Sequence, residues 1–478
     1  MNHDIKTPIR TPKSSEDKAW TKINSDIEIF LATKPVYKQD ELPFIKLQKL
    51  DNFIYDFFKT EYGTKSYGKE KISGKEKERD NEKKKLRKIK KELKKEWRRN
   101  KEGENTRDLR KSFFKVTEIL NKLRTQDAKK ADAKKFQEQT KAFREKPHKF
   151  AQNLYDKNKT IEPNFTEQKA FDYFSQIYSD NQRGMNYGNP PGLTRPDLPN
   201  FPFKEEPPNE ELKSILKSKR NGAAPGPNGI PYLVYKRVPV LFNHLVAIFK
   251  EMWPSCKIPD SKFGITVLLY KNGLGENVSD YRPITMTNTN GKILLSLLAR
   301  RALMYMKKNG YLNASVQKGY INEVAGCAEH TTLLYEFMRN AKQKNRQITV
   351  CWTDLENAFG SIRHDLIQFA LSWYHFPLCF RELVHDYYDG LCIKIRTKKW
   401  TTEPISVLKG IFQGCPLSAQ LFNMTWNIAL DMTEAFPVKG CKLKAAEIEQ
   451  KQLSYVDDHT TITSNPGDAQ KILNTLDK

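Results

Sequence analysis

Closely spaced cysteines are missing from this chain. Its seven cysteines are scattered among 478 residues, and no two of them form a Cys-x-x-Cys pair. Structural zinc sites and disulfide-dense secreted domains both depend on such spacing. The pattern therefore predicts a reduced, intracellular chain without a zinc centre.

Long apolar segments are also missing. Residues 1–6 (Met-Asn-His-Asp-Ile-Lys) lack the apolar core of a secretory signal, and no stretch is long and apolar enough to cross a bilayer. Hydrophobic residues make up only 38% of the chain, and the periodic apolar runs concentrate after about residue 205. We therefore expect no membrane partner and two regions, residues 1–204 and residues 205–478.

Acidic residues are too few to balance the basic ones. The chain has 57 Asp and Glu against 82 Lys and Arg, which gives a formal charge of +25 and a pI of about 9.5. A polyanionic partner is the simplest explanation, although such an excess does not distinguish RNA from DNA. Lysine clusters also serve as nuclear import signals, so we expect a nuclear location, although any basic helix contains such clusters.

The first region carries much of this charge. Residues 65–101 are dominated by Lys, Arg and Glu, with apolar residues at helical spacing: Leu86, Ile89, Leu93 and Trp97. This predicts a long amphipathic helix on nucleic acid or another partner, and a solvated, partly disordered linker is an equally good interpretation. Further helical stretches follow up to about residue 147, and residues 178–208 are rich in Pro, Asn and Gly, which predicts an extended linker. The candidate nucleic-acid contacts are Lys83, Lys84, Lys85, Arg87, Lys88, Lys94, Lys95, Arg98 and Arg99.

Two adjacent aspartates stand between short β-type runs near the end of the second region. Residues 453–459 read Leu-Ser-Tyr-Val-Asp-Asp-His, and a β-rich run over 348–353 ends immediately before Asp354. A tight hairpin turn holds such aspartates rigidly, and together with Asp354 they offer the oxygen ligands that magnesium prefers. An isolated aspartate pair is more often a solvated turn, so other motifs have to decide between these interpretations.

Those motifs follow one another in the order of one enzyme family. Residues 219–231 contain Pro-Gly-Pro-Asn-Gly, and after Lys271 come Tyr-Arg-Pro-Ile (281–284), Gly-Lys-Ile (291–293), Gln-Lys-Gly-Tyr (317–320) and Gly-Cys-Ala-Glu-His-Thr (326–331). Three further blocks are Asp-Leu-Glu-Asn-Ala-Phe-Gly-Ser (354–361), Gln-Gly-Cys-Pro-Leu-Ser (413–418) and Tyr-Val-Asp-Asp (455–458). Together, residues 205–465 resemble the reverse transcriptases of non-LTR (LINE-like) retrotransposons. Group II intron maturases and telomerases are related polymerases whose pattern fits less well.

The resemblance implies an α+β fold with the fingers and palm of a right-hand polymerase, preceded by a basic, mainly helical extension that helps to hold template RNA. It implies an RNA-directed DNA polymerase, in which a primer 3′-hydroxyl attacks the α-phosphate of a dNTP. Asp354 and Asp457 would bind two Mg²⁺ ions, or Mn²⁺, with Asp458 in support. The implied partners are an RNA template, a DNA primer and dNTP, and the oligomeric state stays open.

The resemblance also implies a set of nucleotide contacts. A guanidinium at Arg282 and an ammonium at Lys271 suit triphosphate oxygens, although a lone lysine in so basic a chain is usually a surface residue. Phe359 would exclude a ribose 2′-hydroxyl, although from sequence alone it is more often a core side chain. Gln413 and Gly414 would lie against the template base and the nucleotide, because a glycine permits close backbone approach.

Several departures from the family pattern matter. Gly360 replaces a second aspartate that many members carry, Val456 replaces an alanine, and Phe412 stands where an arginine is common. The chain stops at Lys478, soon after Asp458, so we expect residues 205–478 to comprise fingers and a partial palm without a thumb. The alternative function is therefore a truncated, catalytically inactive remnant that still binds nucleic acid.

Overall fold

The computed structural model describes residues 5–65, 74–99, 106–145, 162–207, 210–258, 262–271, 273–321, 324–443 and 448–476. The chain divides into two compact units, one made of residues 1–65 and 162–478 and the other of residues 66–161. This grouping differs from the boundary expected between residues 204 and 205, since the first residues pack with the later part of the chain. The expected division into a basic extension, residues 1–204, and a polymerase region, residues 205–478, stays a prediction.

The smaller unit contains two long helices, α3 (Gly74–Arg99) and α4 (Thr106–Glu145). They pack as an antiparallel pair, because Lys83 forms an ion pair with Asp127 while Lys90, further along α3, lies 5.1 Å from the ring centroid of Phe113. The separate helical stretches expected up to about residue 147 are one helix, α4, since no Pro or Gly interrupts residues 106–145. Within the expected apolar stripe Leu86 and Leu93 are half-buried and Ile89 is exposed, whereas the side chain of Trp97 lies outside the described residues.

The larger unit mixes helices with three small sheets. Its helices are α1 (Asp17–Thr33), α2 (Pro43–Tyr62), α5 (Glu167–Tyr178), α6 (Glu211–Ser218), α7 (Tyr232–Arg237), α8 (Pro239–Met252), α9 (Thr289–Lys308), α10 (Cys327–Gln343), α11 (Ala358–Ser361), α12 (His364–Trp373), α13 (Leu378–Tyr388), α14 (Ser418–Ala435) and α15 (Pro466–Leu476). Its strands are β1 (Phe263–Tyr270), β2 (Tyr281–Met286), β3 (Thr349–Thr353), β4 (Cys392–Ile395), β5 (Ile405–Ser406), β6 (Cys441–Leu443), β7 (Ile448–Gln450), β8 (Gln452–Tyr455) and β9 (Asp458–Thr463).

Two of the sheets frame the region that holds the sequence motifs. The first has the strand order β2-β1-β4-β5, with β1 antiparallel to β2 and parallel to β4. The second has the order β3-β9-β8, and both of its pairings are antiparallel. A third, two-stranded sheet pairs β6 with β7. The strand expected over 348–353 is confirmed as β3.

The amino-terminal helices are built into this larger unit by a buried polar contact. Asp51 of α2 accepts hydrogen bonds from Asn228 Nδ2 at 3.0 Å, from Asn290 Nδ2 at 2.8 Å and from the Tyr235 hydroxyl at 3.2 Å. A buried carboxylate is costly unless donors surround it, as they do here. Around these polar groups, side chains from α1, α2 and α6 to α9 form one apolar core. The Pro-Gly-Pro-Asn-Gly loop is therefore anchored to α2, because Asn228 contacts Asp51, 177 positions earlier in the sequence.

A disulfide joins Cys256 to Cys379, which lie 123 residues apart in the sequence with a Cα–Cα distance of 5.7 Å. The expectation that all cysteines are reduced is wrong for this pair, because scatter along a sequence says nothing about distance in the fold. Cys327, Cys351, Cys415 and Cys441 are not part of a disulfide. No helix within the described ranges is both long and apolar enough to span a membrane.

Candidate active site

The three predicted metal ligands lie at one end of the β3-β9-β8 sheet. Thr353, the last residue of β3, pairs with His459, so Asp354 follows directly beside the start of β9. Tyr455 pairs with Asp458 across the hairpin, which leaves a two-residue turn that includes Asp457. All three aspartates line a single cavity of about 1560 Å³. The sequence prediction that Asp354 meets the Asp-Asp hairpin is therefore confirmed by the strand register.

The charges of these aspartates act on one another. Burial raises the pKa of Asp457, its own backbone amide lowers that pKa, the neighbouring Asp458 and Asp354 raise it, and Arg282 lowers it. Among the residues that the structure describes, no three acidic, histidine or cysteine side chains converge closely enough to ligate one metal ion. The site nevertheless suits a hard divalent cation, because it gathers carboxylate oxygens whose mutual repulsion a cation would offset.

Two predicted phosphate contacts lie on the β1–β2 side of the same cavity. Lys271 directly follows β1, and its backbone N–H donates to Asp280 O at 2.7 Å, which closes the loop between β1 and β2. Arg282 lies on β2 opposite Leu269. Both cationic side chains are exposed and line the cavity with the three aspartates. Because Arg282 also lowers the pKa of Asp457, its positive charge acts within the acidic end of the cavity.

Phe359 has both a core contact and a place in the cavity wall. Its ring stacks on Phe422 of α14, with centroids 5.1 Å apart and ring planes 3° from parallel. The side chain is half-buried against the main apolar core and also lines the cavity. Phe359 can therefore be a core side chain and a cavity residue at once. One face of its ring packs on Phe422, and the side chain also borders the cavity that holds Asp354.

Gln413 and Gly414 contact β2 and also line the cavity. Gln413 O accepts a hydrogen bond from Thr285 N at 2.8 Å. Gly414 has φ +121°, and a Cβ at this position would stand 2.5 Å from Thr285 O. The glycine therefore permits an approach to a neighbouring strand, whereas the sequence suggested an approach to a ligand. Both residues do line the cavity.

The departures from the family pattern have local structural reasons. A Cβ on Gly360 would stand 2.4 Å from the side-chain amide of Asn357, which itself has φ +49°. A larger residue at position 360 of α11 would therefore require the Asn357 side chain to move. Phe412 is buried in the main core, where an arginine would lack partners. Val456 occupies the hairpin turn with φ +61°.

Several aromatic residues that were not predicted as site residues also line the cavity, and Tyr320 and Tyr455 are two of them. Tyr320 is exposed and has φ +55°, and its carbonyl accepts a hydrogen bond from Gln420 Nε2 at 3.0 Å. Tyr455 ends β8 immediately before the turn. Both tyrosines belong to motifs found in the sequence, Gln-Lys-Gly-Tyr and Tyr-Val-Asp-Asp. Nothing in those motifs indicated that the aromatic side chains would line the cavity.

The predicted nucleic-acid contacts lie on α3, in the other compact unit. Most of the set is exposed, namely Lys84, Lys85, Arg87, Lys88, Lys94, Lys95, Arg98 and Arg99. Lys83 differs, because it is half-buried and paired with Asp127 on α4. It is therefore the member of the set that is least free to reach a phosphate.

Comparison with known proteins identifies the part of the chain that holds this cavity. Residues 269–478 match the family model described as "Reverse transcriptase (RNA-dependent DNA polymerase)". This part of the chain is a reverse transcriptase domain. It contains the three aspartates and both groups of nucleotide-contact candidates, and its mixed helix-and-sheet architecture agrees with a reverse transcriptase fold.

The relatives of this reverse transcriptase domain are polyproteins of retrotransposable elements. The chain is 27% identical over 208 residues to the "Retrovirus-related Pol polyprotein from type-2 retrotransposable element R2DM" of Drosophila melanogaster, which covers 42% of this chain and 18% of that protein. It is 27% identical over 266 residues to the R2 Pol polyprotein of Popillia japonica, which covers 54% and 34%. The domain is thus similar to those of retrotransposable-element polyproteins, and the chain spans well under half the length of these relatives.

A solved structure also shows a weak likeness. The apo telomerase of Candida tropicalis is 11% identical, with a TM-score of 0.34, over 46% of this chain and 41% of that one. A likeness of this degree carries no argument about the reverse transcriptase domain, whose assignment rests on the family model and the retrotransposon relatives.

Proposed function

We propose that this chain contributes an RNA-directed DNA polymerase, in which a primer 3′-hydroxyl attacks the α-phosphate of a dNTP on an RNA template. The observation that carries the proposal is the meeting of Asp354, Asp457 and Asp458 in one cavity with Lys271 and Arg282. Phosphoryl transfer requires mainly positioning and charge stabilisation, which such a set provides.

Asp354 and Asp457 would hold two divalent ions, with Asp458 in support, and bound ions would stabilise the attacking and leaving oxygens. Carboxylate oxygens favour Mg²⁺, and Mn²⁺ is a chemically close substitute. Burial raises the pKa of Asp457 and so disfavours its charged form, and a nearby cation would offset that penalty.

The remaining candidates would orient the nucleotide. Arg282 suits two phosphate oxygens at once, whereas Lys271 supplies a mobile point charge. Phe359, held by its stack on Phe422, would close the space that a ribose 2′-hydroxyl needs. Gln413 and Gly414, fixed against β2, would form the wall next to the base pair.

The basic face of α3 would hold template RNA through its phosphates. Its exposed lysines and arginines supply charge without a base-reading pattern, so this contact would be strong, salt-dependent and unspecific. A DNA target would require the protein to reach the nucleus, and the lysine clusters of α3 are the candidate import signals. The alternative of an inactive remnant is not favoured, since the acidic set and its cationic partners are all present.

The test compares Asp457→Asn with wild type in primer extension on an RNA template. The amide keeps the shape of the side chain but removes the charge that would hold the ions. Asp468→Asn is the matched control, because Asp468 is a carboxylate in the first turn of α15 that does not line the cavity. We expect Asp457→Asn to abolish extension and Asp468→Asn to preserve it. Extension by Asp457→Asn would refute the assignment.

A further inference from the structure

We infer that Gln317 is a positioning residue that holds the turn carrying Asp457 in the conformation that the metal site needs. The inference rests on the proposed function, because it concerns how one proposed ligand is placed. Gln317 lies on the segment before α10, 140 positions from Asp457 in the sequence, and its side chain is completely buried.

The turn that carries Asp457 is strained. Tyr455 and Asp458 pair directly, so Val456 and Asp457 alone connect β8 to β9. Val456 has φ +61°, a conformation that β-branched residues rarely adopt, and its side chain is only 6% exposed. Such a strained conformation persists only where the surroundings impose it. Some contact must therefore hold Val456 in place.

The Gln317 side chain provides that contact through both ends of its amide. Its Oε1 accepts hydrogen bonds from Val456 N at 2.8 Å and from Gly319 N at 2.8 Å. Its Nε2 donates to Val456 O at 3.1 Å and to Ser454 Oγ at 3.2 Å. One side chain thus satisfies both backbone polar groups of the strained residue. Glutamate lacks the donors and asparagine is shorter by one methylene, so the contact is specific to glutamine.

The backbone around Gln317 is fixed to β8 on the other side. Val316 O accepts from Ser454 N at 2.8 Å, and His330 Nε2 donates to Val316 O at 2.8 Å and to Ser454 O at 3.1 Å. His330 Nε2 must carry the proton, because both of its partners are carbonyl oxygens. The glutamine is therefore held rigidly enough to impose a conformation on the turn.

Gly319 explains why a glycine follows the glutamine by two positions. A Cβ on Gly319 would stand 2.4 Å from Val456 Cγ2 and 2.5 Å from Val456 N. Only glycine lets the turn settle onto this segment closely enough for the Gln317 bonds to form. The Gln-x-Gly segment therefore fixes the conformation of the strained turn. Asp457 is then already positioned before a metal ion binds.

The first test removes the hydrogen bonds of Gln317 while keeping its size, with Gln317→Met. The matched control is Gln452→Met, since Gln452 is equally buried on β8 but its Nε2 donates to Leu430 O and Glu434 Oε1, away from the turn. In metal-free protein we expect the Val456 amide to exchange with solvent at least about tenfold faster in Gln317→Met than in Gln452→Met, at matched global stability. Equal exchange in the two variants would overturn the inference.

The second readout is Mn²⁺ binding followed by electron paramagnetic resonance. We expect Gln317→Met to weaken binding about tenfold, equivalent to about 1.4 kcal/mol, and Gln452→Met to change it less than about twofold. Faster exchange with unchanged Mn²⁺ affinity would also overturn the inference, because Gln317 would then serve stability alone.

A second pair of variants covers the case in which Gln317→Met does not fold. Gly319→Ala keeps the glutamine but pushes on Val456 and, at 3.0 Å, on Gln317 Oε1. Gly440→Ala is its control, since a Cβ there would meet Gln450 backbone atoms at 2.5 Å, away from the turn. We expect only Gly319→Ala to weaken Mn²⁺ binding, and equal effects would overturn the inference. Failure of the proposed function looks different, because Asp457→Asn would then leave Mn²⁺ affinity unchanged.

Discussion

The exposed stripe of α3 allows a quantitative prediction about RNA binding. Lys84, Lys88, Lys95 and Arg99 are spaced by four, seven and four residues, which places them on one side of the helix. The half-buried residues of α3, such as Leu86 and Leu93, lie on the opposite side. The stripe is about 22 Å long at 1.5 Å per residue, enough to follow several phosphates of a single strand.

The perturbation replaces all four stripe residues with glutamine. Each lost phosphate contact on single-stranded RNA lowers the slope of log affinity against log salt by about 0.7, so four contacts predict a slope smaller by about 2.8. Over a fourfold rise in salt, wild type would lose about 50-fold more affinity than the variant. Fluorescence anisotropy with a labelled RNA at several salt concentrations measures this difference.

The control for this prediction removes the same charge elsewhere. Lys18, Lys22, Lys213 and Lys471 are exposed lysines of the larger unit, and their replacement by glutamine lowers the net charge equally. We expect this control to keep most of the wild-type salt slope. The reasoning is refuted if the stripe variant keeps the wild-type slope, or if the control reduces the slope as much as the stripe variant does.

Two further predictions concern single side chains. Phe359→Val should raise ribonucleotide incorporation relative to dNTP at least about tenfold, whereas Phe422→Leu, which disturbs the same ring stack from the core side, should not; equal ratios in both variants would contradict the role of Phe359. Burial raises the pKa of Asp431 to about 7, although the Tyr374 hydroxyl opposes this and Glu434 adds to it. The stabilisation of the folded state by protonated Asp431 is therefore complete below about pH 4. It is lost as the pH rises to about 7, by at most about 1.4 kcal/mol per pH unit. The melting temperature of Asp431→Asn relative to wild type should be higher at pH 8 than at pH 5, and a pH-independent difference would contradict this.

The sequence was most informative where a short segment determines its own structure. The β-rich run before Asp354 and the two aspartates between β8 and β9 follow from local preferences, and the strand register then brings them together. The apolar residues of α14 also follow helical spacing, and Leu421 and Phe422 are buried as that spacing indicates.

Contacts between distant segments could not be predicted in this way. The bonds of Asp51 to Asn228 and Asn290, and those of Gln317 to Val456, join residues that are more than a hundred positions apart. Periodicity indicates which face of an element is buried, but it does not indicate the element that covers the face. The disulfide between Cys256 and Cys379 was missed for the same reason.

Individual roles in the site were also only partly readable. Gly414 was expected to approach a ligand, and its close neighbour is Thr285 of β2. Lys83 was grouped with the free cations of α3, and it is paired with Asp127. Composition shows that charges are present, whereas the fold decides which of them already have partners.

The central claim is that the Asp457 carboxylate serves chemistry rather than RNA binding or folding. The most direct test measures single-turnover dNTP incorporation, RNA affinity and melting temperature on one preparation of Asp457→Asn, over a Mg²⁺ titration. We expect incorporation to fall at least about 10³-fold at every Mg²⁺ concentration, while RNA affinity changes less than about twofold. Incorporation within about tenfold of wild type, at a melting temperature near that of wild type, would contradict the account.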